Sequence, residues 1–154
     1  MLLFPRMRSF KLISSILVTV LYVFSAQWSG SSLANAQSSS LAQQEIMLRL
    51  KSSIMAADAS ALADETVYSV EIALFGEARY YSRGQATLLL KTFFDEYPPL
   101  DFDIEKLTRT PTAGFLEATY VTSKSEAPLR MYVRLRIAAG QWKIRELLIE
   151  ESDG

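Results

Sequence analysis

Ser82, followed three residues later by Gln85, opens the stretch that most limits what this chain becomes, and Pro98-Pro99 closes it. A serine whose hydroxyl takes the third amide, with a glutamine reaching back, is a capping box and predicts a helix start. Ala86, Leu89, Leu90, Phe93, Phe94 and Tyr97 then recur at helical spacing, with Lys91, Thr92, Asp95 and Glu96 on the other side. The double proline forbids continuation, because proline has no amide hydrogen and its ring clashes with the preceding turn. A single helix with a broad aromatic stripe needs a large apolar surface to cover it. The segments after Pro99 read as strands, so that surface is a sheet.

Ahead of this helix, Leu41 to Ala57 shows a second amphipathic pattern, with Ile46, Leu50, Ile54 and Ala57 about one turn apart. Asp58 is placed to cap a short helix over Ala59 to Ala63. Val67 to Phe75 switches to a two-residue period, Val70, Ile72 and Leu74 on one side and Ser69, Glu71 and Ala73 on the other. Gly76-Glu77 turns into a short strand, Ala78 to Tyr81. Beyond Pro99, Leu100, Phe102 and Ile104 alternate with Asp101, Asp103 and Glu105, predicting a half-buried strand with an acidic outer row. Phe115 to Thr122 is the next strand, and Leu129 to Ile137 the cleanest, its apolar residues opposing Arg130, Tyr132, Arg134 and Arg136. In the last, Trp142 to Glu150, the apolar parity slips between Ile144 and Leu147, which predicts a β-bulge near Arg145 and Glu146. Helix, helix, strand, strand, helix and a four-strand meander make an α+β domain, helices packed in one curved, mainly antiparallel sheet of about six strands.

The first 36 residues read as a signal peptide. Arg6, Arg8 and Lys11 precede an apolar run from Leu12 to Phe24, and Ala34-Asn35-Ala36 supplies the small residues a signal peptidase requires. As a membrane anchor the run is short: a 13-residue helix rises about 20 Å against a hydrocarbon core of about 30 Å. The expectation is therefore cleavage after Ala36, a polar lead-in over 37–40 and one domain over 41–151, exported to the periplasm or medium and free of the membrane.

Without the three leader cations the chain carries 13 basic and 17 acidic residues, a net charge of −4. Such a domain has no electrostatic reason to seek nucleic acid. The sequence holds no cysteine and no histidine. That removes disulfides, thiol nucleophiles, thiolate or imidazole metal sites and every histidine-based acid–base mechanism, and no cofactor is implied.

The layout resembles the cone-shaped nuclear-transport-factor-2-like superfamily, which includes SnoaL-like and ketosteroid isomerase-like proteins. Val70-Glu71-Ile72, Tyr81-Ser82-Arg83-x-Gln85-Ala86, Leu90-Lys91-x-Phe93-Phe94, Pro98-Pro99 and Ile149-Glu150 resemble a narrower group, the exported bacterial domains of the DUF4783 type, whose function is unknown. The resemblance spans Leu41 to Glu151. It implies the cone fold and brings no activity with it. In that group a histidine and a glycine often follow the first meander strand, where Lys106 to Thr108 stand here.

A cone of this kind encloses a pocket, and the expected lining is Phe93, Tyr97, Phe102, Tyr120, Met131 and Trp142, a site for a small apolar ligand. The same residues equally serve as core, since a small domain needs most of its large apolar groups for stability. An isomerase or lyase reaction would need a buried carboxylate and an oxyanion donor; Glu71 and Glu117 are the strand carboxylates, and Tyr68, Tyr80, Tyr81 and Tyr120 the donors. Arg130, Arg134 and Arg136 form a basic row on one strand. Cross-strand ion pairs explain it; the functional alternatives are an anion site or a charged face meeting a protein partner, with a weak homodimer as the simplest case. The two readings carried forward are an exported non-catalytic binding module and a histidine-free isomerase or lyase.

Overall fold

The computed structural model describes residues 30–152, and their side chains from Leu41 onward except Gln43. The leader's charged and apolar stretches therefore lie outside the described residues. The chain divides into two units, Met1–Ser38 and Ser39–Gly154. Helix α1 runs Gly30–Met55, so Ala34-Asn35-Ala36 and the polar stretch 37–40 are helical backbone.

Within the second unit, Ile46, Leu50 and Ile54 lie four residues apart on α1 and are fully buried. Ala57 ends this helix in the left-handed region (φ 52°). Its N–H reaches the Ile54 carbonyl and that of Asp58 the Ser53 carbonyl, each at 2.9 Å, which satisfies carbonyls that the helix end would leave open. Asp58 then caps α2, Ala59–Asp64, accepting from the Ala61 amide at 2.9 Å.

The strands are β1 Thr66–Leu74, β2 Arg79–Ser82, β3 Pro99–Arg109, β4 Ala113–Thr122, β5 Leu129–Ala138 and β6 Gln141–Glu151; helix α3, Arg83–Glu96, enters after β2. They form one curved sheet in the order β2-β1-β6-β5-β4-β3. Every pairing is antiparallel except β1 with β6, which is parallel. The capping box of α3 is present: the Gln85 amide donates to Ser82 Oγ at 3.5 Å, and the Ser82 amide to Gln85 Oε1 at 2.9 Å. Its inner face buries Ala86, Leu90, Phe93 and Phe94, and these join residues of α1, α2 and all strands but β2 in one buried core. Helices in a single curved, unclosed sheet make the α+β cone expected from the pattern.

The expected bulge is present. Arg134 faces Glu146 while Leu135 faces Ile144, so Arg145 is the extra residue. Two further irregularities correct the reading of β3. Pro99 faces Thr122 and Asp101 faces Val121, leaving Leu100 without a partner and 61% exposed rather than inward. Ile104 faces Ala118 and Lys106 faces Glu117, so Glu105 is a second extra residue, and Leu107 turns toward the core. Lys106 to Thr108 thus continue β3 instead of following it. The β5–β6 link is a two-residue turn, Ala139 (φ 50°) and Gly140 (φ 76°) both in the left-handed region, the geometry that suits the twist of a hairpin.

Candidate functional site

The expected apolar lining belongs to the cone interior. Phe93 and Tyr97 stack with ring centres 5.4 Å apart, Phe93 meets Tyr120 at 5.4 Å, and Phe75 approaches Tyr97 at 5.1 Å. Phe102 faces Tyr120 across β3 and β4, and Met131 faces Ala118 one row further along β5. Trp142 faces Ile137, six residues along β5 from Met131 and so about 20 Å away. Five of the six named residues are buried and Tyr97 packs against them half-buried, all within the single core. The structure therefore brings Phe93, Tyr97, Phe102 and Tyr120 together, sets Met131 beside them and places Trp142 elsewhere in the same core.

The chemistry of this interior is narrow. Tyr120 is fully buried, its hydroxyl donates to the Tyr97 carbonyl, and burial pushes its phenol well above the ordinary value of 10. Its one donor is used. Besides Tyr120, the buried polar residues among those described are Ser53, Thr66 and Thr122, none ionisable. Glu71 faces Glu146 and Tyr80 on the outer row, and Glu117 pairs with Lys106 at 3.1 Å on the same face. Tyr68 and Tyr80 are exposed and Tyr81 half-buried. No group of three or more acidic residues among those described is placed to hold a metal ion. A cleft of about 350 Å³ lies between the β1–β2 edge and α3, lined by Ile72, Leu74, Leu89, Tyr81, Glu77 and Arg79.

The outer face of the sheet is more structured than its sequence suggested. Arg130 meets Glu105 at 3.0 Å, reaching across β4 to β3. It does so because the bulge places Glu105 within range, where the Thr119 hydroxyl also donates to it. That hydrogen bond, with the Arg130 charge, holds the Glu105 carboxyl below its usual range. Arg134 meets its register partner Glu146 at 3.3 Å and lies 6.0 Å from the centre of the Phe115 ring, which itself stacks on Tyr132 at 6.1 Å. Two of the three arginines are thus tied within their own sheet. Arg136 has no ion pair among the described residues.

Arg136 instead borders a cleft of about 450 Å³ at the end of the sheet where β3 turns into β4. Arg109, Arg134 and Arg145 border it too, with Thr108 and Phe115, and no carboxylate lines it. Sequence reading picked out Arg134 and Arg136 and missed Arg109 and Arg145. For Arg145 a signal existed: the parity slip that predicts the bulge also frees the bulged residue to point outward. For Arg109 there was none: the regular alternation over Leu100 to Glu105 hides the register shifts that carry β3 on to Arg109.

A profile of the family described as "Domain of unknown function (DUF4783)" matches residues 47–150. Curated proteins offer no match. Among solved structures, a DUF4783 family protein from Bacteroides ovatus superposes with a TM-score of 0.63 at 15% identity, over 69% of this chain and 94% of that one. One from Bacteroides uniformis gives 0.64 at 13%, over 69% and 96%. An NTF-2 like protein of unknown function from Silicibacter pomeroyi gives 0.56 at 13%, over 76% and 98%. At these identities the likeness carries the fold alone.

Proposed function

We propose, on the premise that this chain belongs to the DUF4783 family of domains of unknown function, that it is an exported, non-catalytic module that binds a protein partner through the outer face of its sheet. The observation behind this reading is the grading of charge along that face. One end is mostly basic, with Arg134, Arg136 and Arg145 around Glu146, and Phe115 beside Arg134. The middle carries Tyr132 and Leu148, half-buried, and the Lys106–Glu117 pair. The other end is mostly acidic, with Asp101, Asp103 and Glu150 exposed around Val121 and Arg130. A half-buried aromatic centre with charged margins is the anatomy of a protein interface.

The simplest partner is a second copy. Laid face to face about a two-fold axis running across the strands, each basic end meets the acidic end of the other. Exposed ion pairs contribute only about 0–1 kcal/mol each and are screened within about 8–10 Å near physiological salt. The dimer is accordingly weak and salt-sensitive. An apolar ligand in the cone is less well supported, since its expected lining packs ring against ring. A carboxylate–tyrosine reaction is less well supported still, with Glu71 and Glu117 on the outer face and the Tyr120 donor already taken. Light scattering of the protein over a salt series is the test. We expect a dimer at low salt that dissociates at high salt and is lost in Arg136→Glu with the fold intact. A monomer at high protein concentration and low salt overturns the homodimer.

A further inference from the structure

We infer that the arginine cleft at the β3–β4 end of the sheet is a binding site for a small polyanion, a molecule bearing two or more phosphate or carboxylate groups. This goes beyond the partner reading and belongs to a single chain.

Charge makes the first argument. The domain is net acidic, with 13 basic against 17 acidic residues beyond the leader, yet four arginines border one cleft with no carboxylate in its lining. Arg134 has a counter-charge in Glu146 at 3.3 Å. Arg136 and Arg145 have none among the described residues. Like charges gathered at one place repel, so the arrangement calls for an anion. A monoanion leaves the positive charge in excess, whereas two anionic groups balance Arg136 and Arg145 together.

Geometry makes the second. Arg145 stands at the cleft because the β6 bulge makes it the extra residue between Ile144 and Glu146; bulges commonly serve to re-aim a side chain beside a site. Arg134 is held from two sides, by Glu146 and by the Phe115 ring, which is itself stacked on Tyr132. A guanidinium fixed in this way presents its donor fork in a set direction, and that fork matches carboxylate and phosphate oxygens in pairs. Thr108 adds a hydroxyl at the rim. A volume of about 450 Å³ exceeds what one phosphate fills and falls in the range of small-molecule sites.

The experiment is calorimetric titration of the full chain with pyrophosphate and with citrate, at constant ionic strength in a phosphate-free buffer. Protein is kept below the concentration at which light scattering detects association, so that the result is independent of the partner reading. We expect saturable one-to-one binding of either probe, about tenfold or more tighter than orthophosphate. Arg136→Gln and Arg145→Gln should each weaken it about tenfold, the size expected for a lost charge-assisted contact. Arg145→Lys should fall between, keeping charge but losing the fork. Arg79→Gln, an arginine on the distant β2 edge, should leave binding within about twofold of the parent. Thermal melts by circular dichroism check the fold; if Arg145→Gln melts early, Arg136→Gln, on an exposed strand end, carries the result. Absence of saturable binding, or equal weakening by Arg79→Gln and Arg136→Gln, overturns the site.

Discussion

Replacing Tyr120 by phenylalanine tests how the inside of the cone is built. The hydroxyl donates to the Tyr97 carbonyl from a fully buried ring, and losing one such bond costs about 0.5–1.5 kcal/mol near neutral pH. The variant should therefore be about 1 kcal/mol less stable at pH 7. Burial raises the phenol's pKa in the folded state above the unfolded value of 10. A raised folded pKa contributes stability that is fully present below pH 10 and is lost as pH climbs toward the folded value, because the unfolded chain releases its proton first. One pH unit above the unfolded pKa, that loss is about 1.4 kcal/mol. Phenylalanine has no proton to lose. The gap between parent and variant should thus close from about 1 kcal/mol at pH 7 to near zero at pH 11, the exposed tyrosines contributing equally to both. Urea melts at pH 7, 9, 10 and 11, followed by far-ultraviolet circular dichroism, measure it. Parallel curves with a constant gap would show that the phenol ionises as easily folded as unfolded, and the description of a dry, closed interior would fail.

Phe93 and Phe94 are equally buried, each 3% exposed, although one helical stripe cannot centre on both. Ring packing separates them: Phe93 meets the rings of Phe75, Phe94, Tyr97 and Tyr120, whereas among the described residues the one ring that Phe94 meets is Phe93. Truncation to alanine should cost about 3–5 kcal/mol at either position, with Phe93 at the upper end; a larger loss at Phe94 in denaturant melts would reverse the assignment. Export is checked by intact mass of the protein from its host. The expected chain starts at Gln37, and a species retaining Met1 to Ala36 would refute the leader.

Much of the fold was legible because its signals are local. Ser82 and Gln85 mark a helix start, Pro98-Pro99 mark its end, and the alternation in β5 sets the sheet's faces. The bulge at Arg145 was legible because a parity slip has one simple remedy. The equivalent slip between Ile104 and Leu107 carries the same information but was hidden by the regular acidic alternation before it. Its consequence, Glu105 reaching Arg130 across a strand, depends on register and cannot be read from either segment alone. The arginine cleft lies further still from the sequence. Arg109, Arg134, Arg136 and Arg145 come from three strands, and only pairing across the sheet makes them neighbours.

The parallel pairing of β1 with β6 has a consequence in time. β6 lies between β1 and β5, so the last strand to be synthesised sits in the middle of the sheet. A ribosome-bound or partly threaded chain can close the β1–β2 hairpin, the β3–β4–β5 meander and the α3 cap, but β1 finds its second neighbour only when Gln141–Glu151 arrives. Long-range pairings of this kind are slow to form. Under the export proposed above, that delay would keep the chain pliable during translocation. It also makes truncation costly: a chain cut before β6 retains two unmatched strand edges, each a template for pairing with another molecule.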